Sequence, residues 1–432
     1  MSHGRTLAVA DPEKPSLRRN TDFLRYFFGT FVSNAGDSLY AVATLWLVFE
    51  LSGSTFLTGV ASSLLLLPYL LQIVVGPVVD RLPLKPVLVG SQVVQGVVVL
   101  VLPIAAYAGH LTVWLVLVTI PALAMVTLIT SPIQAALVPR IVADKQLSRA
   151  NSALATVTLG LDMIFDALGG LFIAVFGATT LFLVDSVTFA VASVLFLGMT
   201  VPSVDGGGEP APESTLAAYV GDLRDGIDLL RGTVFVHLLL TSAVANFAVG
   251  VTLAILPAFG GSLGGPALYG LLLAALGVGR LLGSIVAPFF SHVAYGRFVV
   301  IAFTLAALCW ASSVAVSSPA ITLVLFGLAW IPSGINGVLT ETLNQRVFPK
   351  PVLGRIAAIK GTAATATLPL GSLVGGYVAD GLGVATTMGL AALGFGFVGG
   401  YVALRSSLRT LPSVRNSTAA DFAVELPDEP TE

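Results

Sequence analysis

Charge is scarce in this chain. Only 10% of its 432 residues are Asp, Glu, Lys or Arg, against about 25% in an ordinary soluble domain. That shortage excludes a water-soluble globule of normal surface, and no basic patch is dense enough to hold nucleic acid. Cysteine is scarcer still: Cys309 stands alone inside an apolar run, so no intrachain disulfide can form. The 4 histidines are scattered. No His/Asp/Glu spacing suits a metal and no phosphate-cradling loop is present. An integral membrane enzyme therefore lacks a reactive constellation, ATP-driven pumping within the chain is excluded, and no cofactor is expected. Met1–Asn20 lacks an apolar core ending in a small-residue cleavage site, so it does not read as a signal peptide.

Apolar surface is what the chain has in excess. It is 56% hydrophobic, with a mean hydropathy of +0.93, a composition whose natural solvent is a lipid bilayer. Apolar stretches of about 20 residues, the length that crosses a bilayer, predict spans over Phe23–Leu51, Phe56–Val79, Pro86–Ala108, Leu111–Ile133, Ser152–Phe176 and Thr179–Thr200. After a polar interval come Val234–Phe259, Pro266–Phe290, Arg297–Val316, Ala320–Leu343, Ile356–Ala379 and Val384–Leu404.

The basic residues orient these spans. With both termini in the cytoplasm, the even-numbered loops hold Arg81 and Lys85, then Arg140, Lys145 and Arg149, Arg224 and Arg231, Arg297, and Arg346, Lys350 and Arg355. The opposite loops, among them Ser52–Thr55, Gly260–Gly265 and Asp380–Gly383, hold neither Lys nor Arg. This asymmetry is the positive-inside pattern of a multi-pass protein of the cell membrane.

The expected organisation is a cytoplasmic tail (1–22), a six-helix bundle (23–200), a cytoplasmic linker (201–233), a second six-helix bundle (234–405) and a cytoplasmic tail (406–432). The linker opens with Gly206, Gly207, Gly208, Pro210 and Pro212, a flexible composition. Leu216–Arg231 reads as an amphipathic surface helix. The tail after Arg415 is acidic and reads as disordered. The halves repeat: Arg149, Thr156, Gly169, Gly170 and Gly177 recur as Arg355, Thr362, Gly375, Gly376 and Gly383 at a constant offset of 206 positions. Parallel repeats are a feature of transporter folds, and glycines at matching depth let helices approach closely.

Gly76-Pro77-Val78-Val79-Asp80-Arg81-Leu82-Pro83-Leu84-Lys85 follows the second span. It resembles the Gly-x-x-x-Asp-Arg-x-x-x-basic loop signature of the major facilitator superfamily. Asn34-Ala35-Gly36-Asp37, Leu137-Val138-Pro139 with Gln146–Asn151, Asp185-Ser186-Val187-Thr188-Phe189 and Gly354-Arg355 resemble the drug–proton antiporter branch that includes macrolide-efflux and enterobactin-export proteins. The resemblance implies an all-α membrane fold of twelve helices in two pseudo-symmetric bundles. It further implies rocker-switch alternating access and efflux of a small organic molecule against protons. Gly76, Asp80, Arg81 and Lys85 would form its cytoplasmic gate, and a monomer in the bilayer would be the working unit. Two departures stand out. Asp166 occupies the place of the proline in the helix 5 pattern Gly-Pro-x-x-Gly-Gly, and helix 8 carries Arg280 where a small or apolar residue is usual. An uptake permease, or a siderophore or lipid carrier, would share the fold.

Ionisable residues at membrane depth are costly and mark function by default. Asp37, Asp162, Asp166, Asp185 and Arg280 are the candidates for proton coupling. Helix 6 is peripheral in the family fold, which points to a structural role for Asp185, although its depth matches that of Asp37. Asn34, Asn246, Asn336, Tyr40, Trp330 and Glu341 are candidates for substrate binding. Gly169, Gly170, Gly375 and Gly376 are candidates for helix packing. Asp162 and Arg280 each lie about 15 Å from the cytoplasmic side at 1.5 Å per residue, on helices that face each other in that fold. Arg280 is therefore expected to pair with Asp162, Asp166 or both.

Overall fold

The computed structural model describes residues 15–68, 83–201, 230–348, 356, 361 and 365–424. Within them run twelve helices of eleven residues or more. These are α1 (Thr21–Ser52), α2 (Thr55–Leu65), α3 (Leu84–Tyr107), α4 (Val113–Ile141), α5 (Leu147–Phe176) and α6 (Ala178–Leu197), followed by α7 (Val234–Leu263), α8 (Pro266–Val286), α9 (Tyr295–Ala315), α10 (Pro319–Val347), α11 (Thr367–Leu382) and α12 (Val384–Leu404). The described residues contain no β-strand. Eight of the helices are long and apolar enough to cross a membrane. The remaining four are informative. α1 carries Asp37 and other polar residues that lower its hydropathy, and α2, α5 and α11 are fully described over only part of their predicted spans.

Local chemistry sets the helix ends. The Asn20 side chain accepts from the Phe23 amide at 3.0 Å, and its amide group donates to the Ile141 carbonyl at 2.6 Å, so one residue caps α1 and ties it to α4. Ser54 and Thr112 cap α2 and α4 in the same way. Pro266 and Pro319 open α8 and α10, where a missing amide proton costs nothing. Gly177 and Gly383 close α5 and α11 with φ of 80° and 86°. That is a conformation favouring glycine, and the two sit at the same 206-position offset as the repeat.

α1–α6 pack as one bundle and α7–α12 as the other, and the main seams between them are α2 against α11 and α5 against α8, with α2 and α1 also touching α7. The paired glycines explain the arrangement. A Cβ on Gly169 would meet Val42 of α1 at 3.2 Å, and one on Gly375 would meet the Val251 backbone of α7 at 2.6 Å, so both face inward to their own bundle. A Cβ on Gly170 would collide with the Gly270 backbone of α8, and one on Gly376 with the Thr55 carbonyl of α2. Each repeat thus contributes one glycine to its bundle and one to the seam. Large apolar side chains such as Val97, Ile104, Val118, Val194, Ile285 and Leu393 stay exposed around the outside, the surface a bilayer would cover.

The C-terminal segment corrects an expectation. It does not trail away after the last span: residues 406–424 fold back over the basic ends of α7, α9 and α10. The Tyr295 amide donates to the Pro412 carbonyl at 3.0 Å, the Arg415 amide to the Ser291 carbonyl at 3.1 Å, and Arg346 to the carbonyls of Val414 and Arg415. Phe422 is wholly buried and stacks on Phe235, with ring centroids 5.1 Å apart. Leu408, Leu411 and Val414 are buried beside it. Apolar residues at helical and turn spacings, not net charge, decide that this segment docks. The linker over 202–229, including most of its proposed amphipathic helix, lies outside the described residues.

Candidate transport cavity

The central cavity is built mostly from the first bundle. On α1, Asp37, Tyr40 and Ala41 share a helical face; on α4, Ile120, Leu123, Ala124 and Thr127 do the same; on α6, Asp185 and Phe189 stand one turn apart. Gln95 of α3, Ser62 and Leu65 of α2 and Asp166 of α5 complete that side. The second bundle adds Leu253 of α7 and Tyr269 and Leu273 of α8. The enclosed volume is about 480 Å³, within the roughly 300–1,000 Å³ that surrounds a drug-sized ligand.

Three carboxyl groups reach this space from three helices. Asp37 is exposed into it and Asp166 is half-buried. Asp185 is fully buried. Gly36 explains how Asp185 fits: a Cβ there would collide with Asp185 Oδ1 and the Thr188 hydroxyl, so α6 lays its carboxylate directly on the α1 backbone beside Asp37. The Thr188 hydroxyl lies 3.2 Å from Oδ1, whereas Oδ2 has no partner among the described residues. Asp185, for which the place of helix 6 pointed to a structural role, stands on the cavity wall beside Asp37, the residue whose depth it was expected to match. Gln95 links to Gln92 at 3.3 Å and to Thr127 at 3.5 Å, a polar strip on the wall.

Other expected site residues lie elsewhere. Trp330 is wholly buried within the second bundle, packed against Trp310, Phe326 and Phe395 with centroid separations of 5.2, 6.0 and 5.4 Å. It is core and does not line the cavity. Asn336 accepts from the Tyr295 hydroxyl at 2.9 Å, and Asn246 donates to the Ser242 carbonyl at 3.0 Å. Glu341 is exposed and accepts from Gln345 at 3.3 Å. These three and Asn34 are not among the lining residues. Tyr40 does line the cavity, and its buried hydroxyl lies close to Thr44 and Thr119. Gly76, Asp80 and Arg81 lie outside the described residues, while Lys85 is half-buried in the first turn of α3.

The seam between α5 and α8 sets the register for Arg280. The helices run antiparallel and touch at Gly170 and Gly270. Arg280 lies ten residues on from that crossing, which puts it level with position 160; Asp162 is about 3 Å from that level and Asp166 about 9 Å. The expectation that left Asp162 and Asp166 equivalent is thereby narrowed to Asp162, whose side chain lies outside the described residues. Arg280 itself is exposed.

The end of the cavity away from the basic loops is sealed. Asp380 of α11 accepts from Ser54 at 2.9 Å and from the Thr55 hydroxyl and amide at 2.6 and 2.8 Å. Ser62 and Ser372 lie 3.0 Å apart, and the Ser63 hydroxyl donates to the Pro369 carbonyl at 2.6 Å. Trp46 of α1 stacks on Tyr269 of α8 at 6.0 Å. The hydrogen bonds named here join the bundles along the α2–α11 seam. The sequence offered little warning of it, because Ser, Thr and Gly in a membrane helix look the same whether they face a seam or their own bundle.

Known proteins share this architecture. The chain is 25% identical over 412 residues to the multidrug efflux pump Tap of Mycobacterium tuberculosis, covering 92% of this chain and 94% of that protein. It is 21% identical over 378 residues to macrolide efflux protein A of Streptococcus pyogenes, covering 84% and 90%. The structure of a bacterial homolog of the human lysosomal transporter Spinster superposes with a TM-score of 0.70 at 12% identity, over 94% of this chain and 99% of that one. The profile of the family described as transmembrane secretion effector matches residues 16–429. With that match running through both bundles, the chain belongs to this family of major facilitator transporters and is a membrane transporter, not an enzyme.

Proposed function

We propose that the protein exports small amphiphilic organic molecules across the plasma membrane, driven by protons moving inward, through alternating exposure of the central cavity. The observation that carries this reading is the set of Asp37, Asp166 and Asp185 on one drug-sized cavity, with a hydrogen-bonded seal at the end away from the basic loops. Carboxyl groups at membrane depth are expensive to keep charged, so a site that holds three can exchange protons for a ligand as it moves between the two sides. The Lys and Arg asymmetry of the loops supports a cytoplasmic position for the end opposite the seal and for both termini. Asp80, Arg81 and Lys85 would then latch that end in the opposite state. The efflux named for Tap and macrolide efflux protein A agrees with the direction. Each bundle carries half of the seam, so one chain suffices, and the protein acts as a monomer.

The test is a panel of amphiphilic dyes and drugs offered to inverted membrane vesicles, with the quenching of a pH-sensitive dye as readout. Export coupled to protons appears as substrate-induced alkalinisation of the acidified vesicle interior. A panel that moves no protons, or moves them only when substrate leaves the vesicles, contradicts the reading.

A further inference from the structure

An apolar groove runs between α9 and α10 on the outer face of the second bundle. Small residues at helical spacing make room for it: Ala302, Ala306 and Cys309 share one face of α9 and form its floor. Ile301 and Leu305 of α9 and Leu328 of α10 stand beside them as exposed rims. The groove encloses about 380 Å³ and shares no lining residue with the transport cavity. Its rims belong to the surface a bilayer would cover, so it opens toward lipid.

One end of the groove is charged. Arg297, in the first turn of α9, lines it, and no Asp or Glu does. Arg297 is exposed and forms no ion pair or hydrogen bond among the described residues. The twelve positions from Arg297 to Cys309 rise about 18 Å, close to the roughly 15 Å of hydrocarbon in one leaflet. The docked C-terminal segment adds positive charge at the same end. A Cβ on Gly296 would meet the Arg409 carbonyl, and the Arg415 amide donates to the Ser291 carbonyl at 3.1 Å, so the segment brings two exposed arginines to the mouth. Its acid among the described residues, Asp421, accepts from the Thr418 amide and hydroxyl, each at 2.8 Å. A groove of similar size, about 360 Å³, lies between α7, α11 and α12 and has no charged lining residue. Apolar shape is thus common to both grooves, and the unpaired arginine distinguishes this one.

We propose that the α9–α10 groove binds one anionic phospholipid from the leaflet on the side of the basic loops. An acyl chain lies along Ala302, Ala306 and Cys309, and the phosphate rests on Arg297, with Arg409 and Arg415 adding charge around it. Guanidinium groups hold phosphate oxygens through paired hydrogen bonds, and basic pockets between membrane helices take anionic headgroups. A zwitterionic lipid fits the same groove less well, because its own ammonium competes with Arg297 for the phosphate.

The test is native mass spectrometry of the detergent-solubilised full chain, offered equal amounts of phosphatidylglycerol and phosphatidylcholine with matched acyl chains. The first retained lipid is expected to be phosphatidylglycerol by about fivefold. Arg297→Gln should remove that preference and Arg297→Lys should keep part of it. Leu305→Trp, which fills the groove, should reduce retention, whereas Leu393→Trp in the uncharged groove should not. Cys309, the chain's one cysteine, reports on the acyl chain directly. Phosphatidylglycerol should slow its alkylation by N-ethylmaleimide severalfold in the wild type, and inorganic phosphate should not. The alkylation and Leu305→Trp arms keep the test open if Arg297→Gln does not fold. Equal retention of the two lipids, a preference unchanged in Arg297→Gln, retention unchanged in Leu305→Trp, or Cys309 alkylated at the same rate with and without phosphatidylglycerol would each overturn the proposal. Protection of Cys309 by inorganic phosphate alone would overturn it too, because the site would then take a free anion and no lipid.

Discussion

Asp380, at the end of α11, clasps the first turn of α2 through Thr55: its Oδ1 accepts from the Thr55 hydroxyl at 2.6 Å and from the Thr55 amide at 2.8 Å. Helix N-termini leave amide protons unpaired and attract negative charge. The contact therefore joins the bundles by a charge-assisted hydrogen bond at the sealed end.

Removing that carboxylate should loosen the seal. With Cys309→Ser as background, spin labels on cysteines at His110 and Ser317 report the distance between bundles at this end. Asp380→Ala is expected to raise the separated population severalfold. Ser54→Ala with Thr55→Val should do so to a smaller degree, because the amide of residue 55 still reaches the carboxylate, and the combined variant should do no more than Asp380→Ala alone. The pH dependence has a definite sign. Partial burial favours the neutral acid, but the hydrogen bonds from Thr55 and Ser54 outweigh it and hold Asp380 below its ordinary 3.8. A carboxyl lowered in the latched state stabilises that state above its unlatched value and loses the contribution as pH falls through the lowered one. The latch should thus stay closed from about pH 7 to pH 5, leaving proton coupling to other groups. An opening that titrates within that range would contradict this.

The α5–α8 seam gives a steric test. Gly170→Val places a branched side chain against the Gly270 backbone, where no side chain can yield. The sealed state should be lost and transport abolished, while the protein still inserts and purifies. Gly169→Ala meets side chains alone, Val42 at 3.2 Å and Leu39 at 3.4 Å, and should cost far less. Flux and the label distance, measured on both variants, separate the two positions.

The docked C-terminus predicts a stability effect far from the cavity. Phe422 is wholly buried against Phe235, and truncating such a ring to Ala typically costs about 3–5 kcal/mol. Phe422→Ala should lower the thermal unfolding midpoint in detergent clearly, and deletion of 406–432 should lower it further. A free acidic tail would show neither.

Trp330 and Tyr269 should behave oppositely. Trp330→Phe is expected to reduce thermal stability and leave substrate affinity as it was, because the indole packs among Trp310, Phe326 and Phe395. Tyr269→Leu should weaken the ligand, since Tyr269 lines the cavity. Equal loss of affinity in both variants would place Trp330 nearer the ligand than its packing allows.

The fold was legible because bilayer solvation writes itself into sequence: apolar length, loop charge and the 206-position repeat of Gly169, Gly170 and Gly177 all record it. The acids were legible for the same reason, since charge at depth is rare. Depth alone could not say which way a side chain points. That is why the structural role read for Asp185 did not anticipate its carboxylate lying on Gly36 at the cavity wall, and why Trp330 looked like a substrate contact. Asp380 was passed over as a loop residue, because its meaning depends on Thr55, 325 positions away. The tail misled through its net charge, although Leu408, Leu411, Val414 and Phe422 were there to be read.

Uphill flux in proteoliposomes tests the central claim most directly. Wild-type protein and the Asp37→Asn/Asp166→Asn/Asp185→Asn variant would be reconstituted, a pH gradient imposed, and the movements of a transported amphiphilic dye and of protons recorded together. The account predicts gradient-driven dye accumulation by the wild type, abolished by a protonophore. The folded triple variant should give neither accumulation nor coupled proton movement. Undiminished uphill accumulation by that variant, with the same pH dependence, would contradict it.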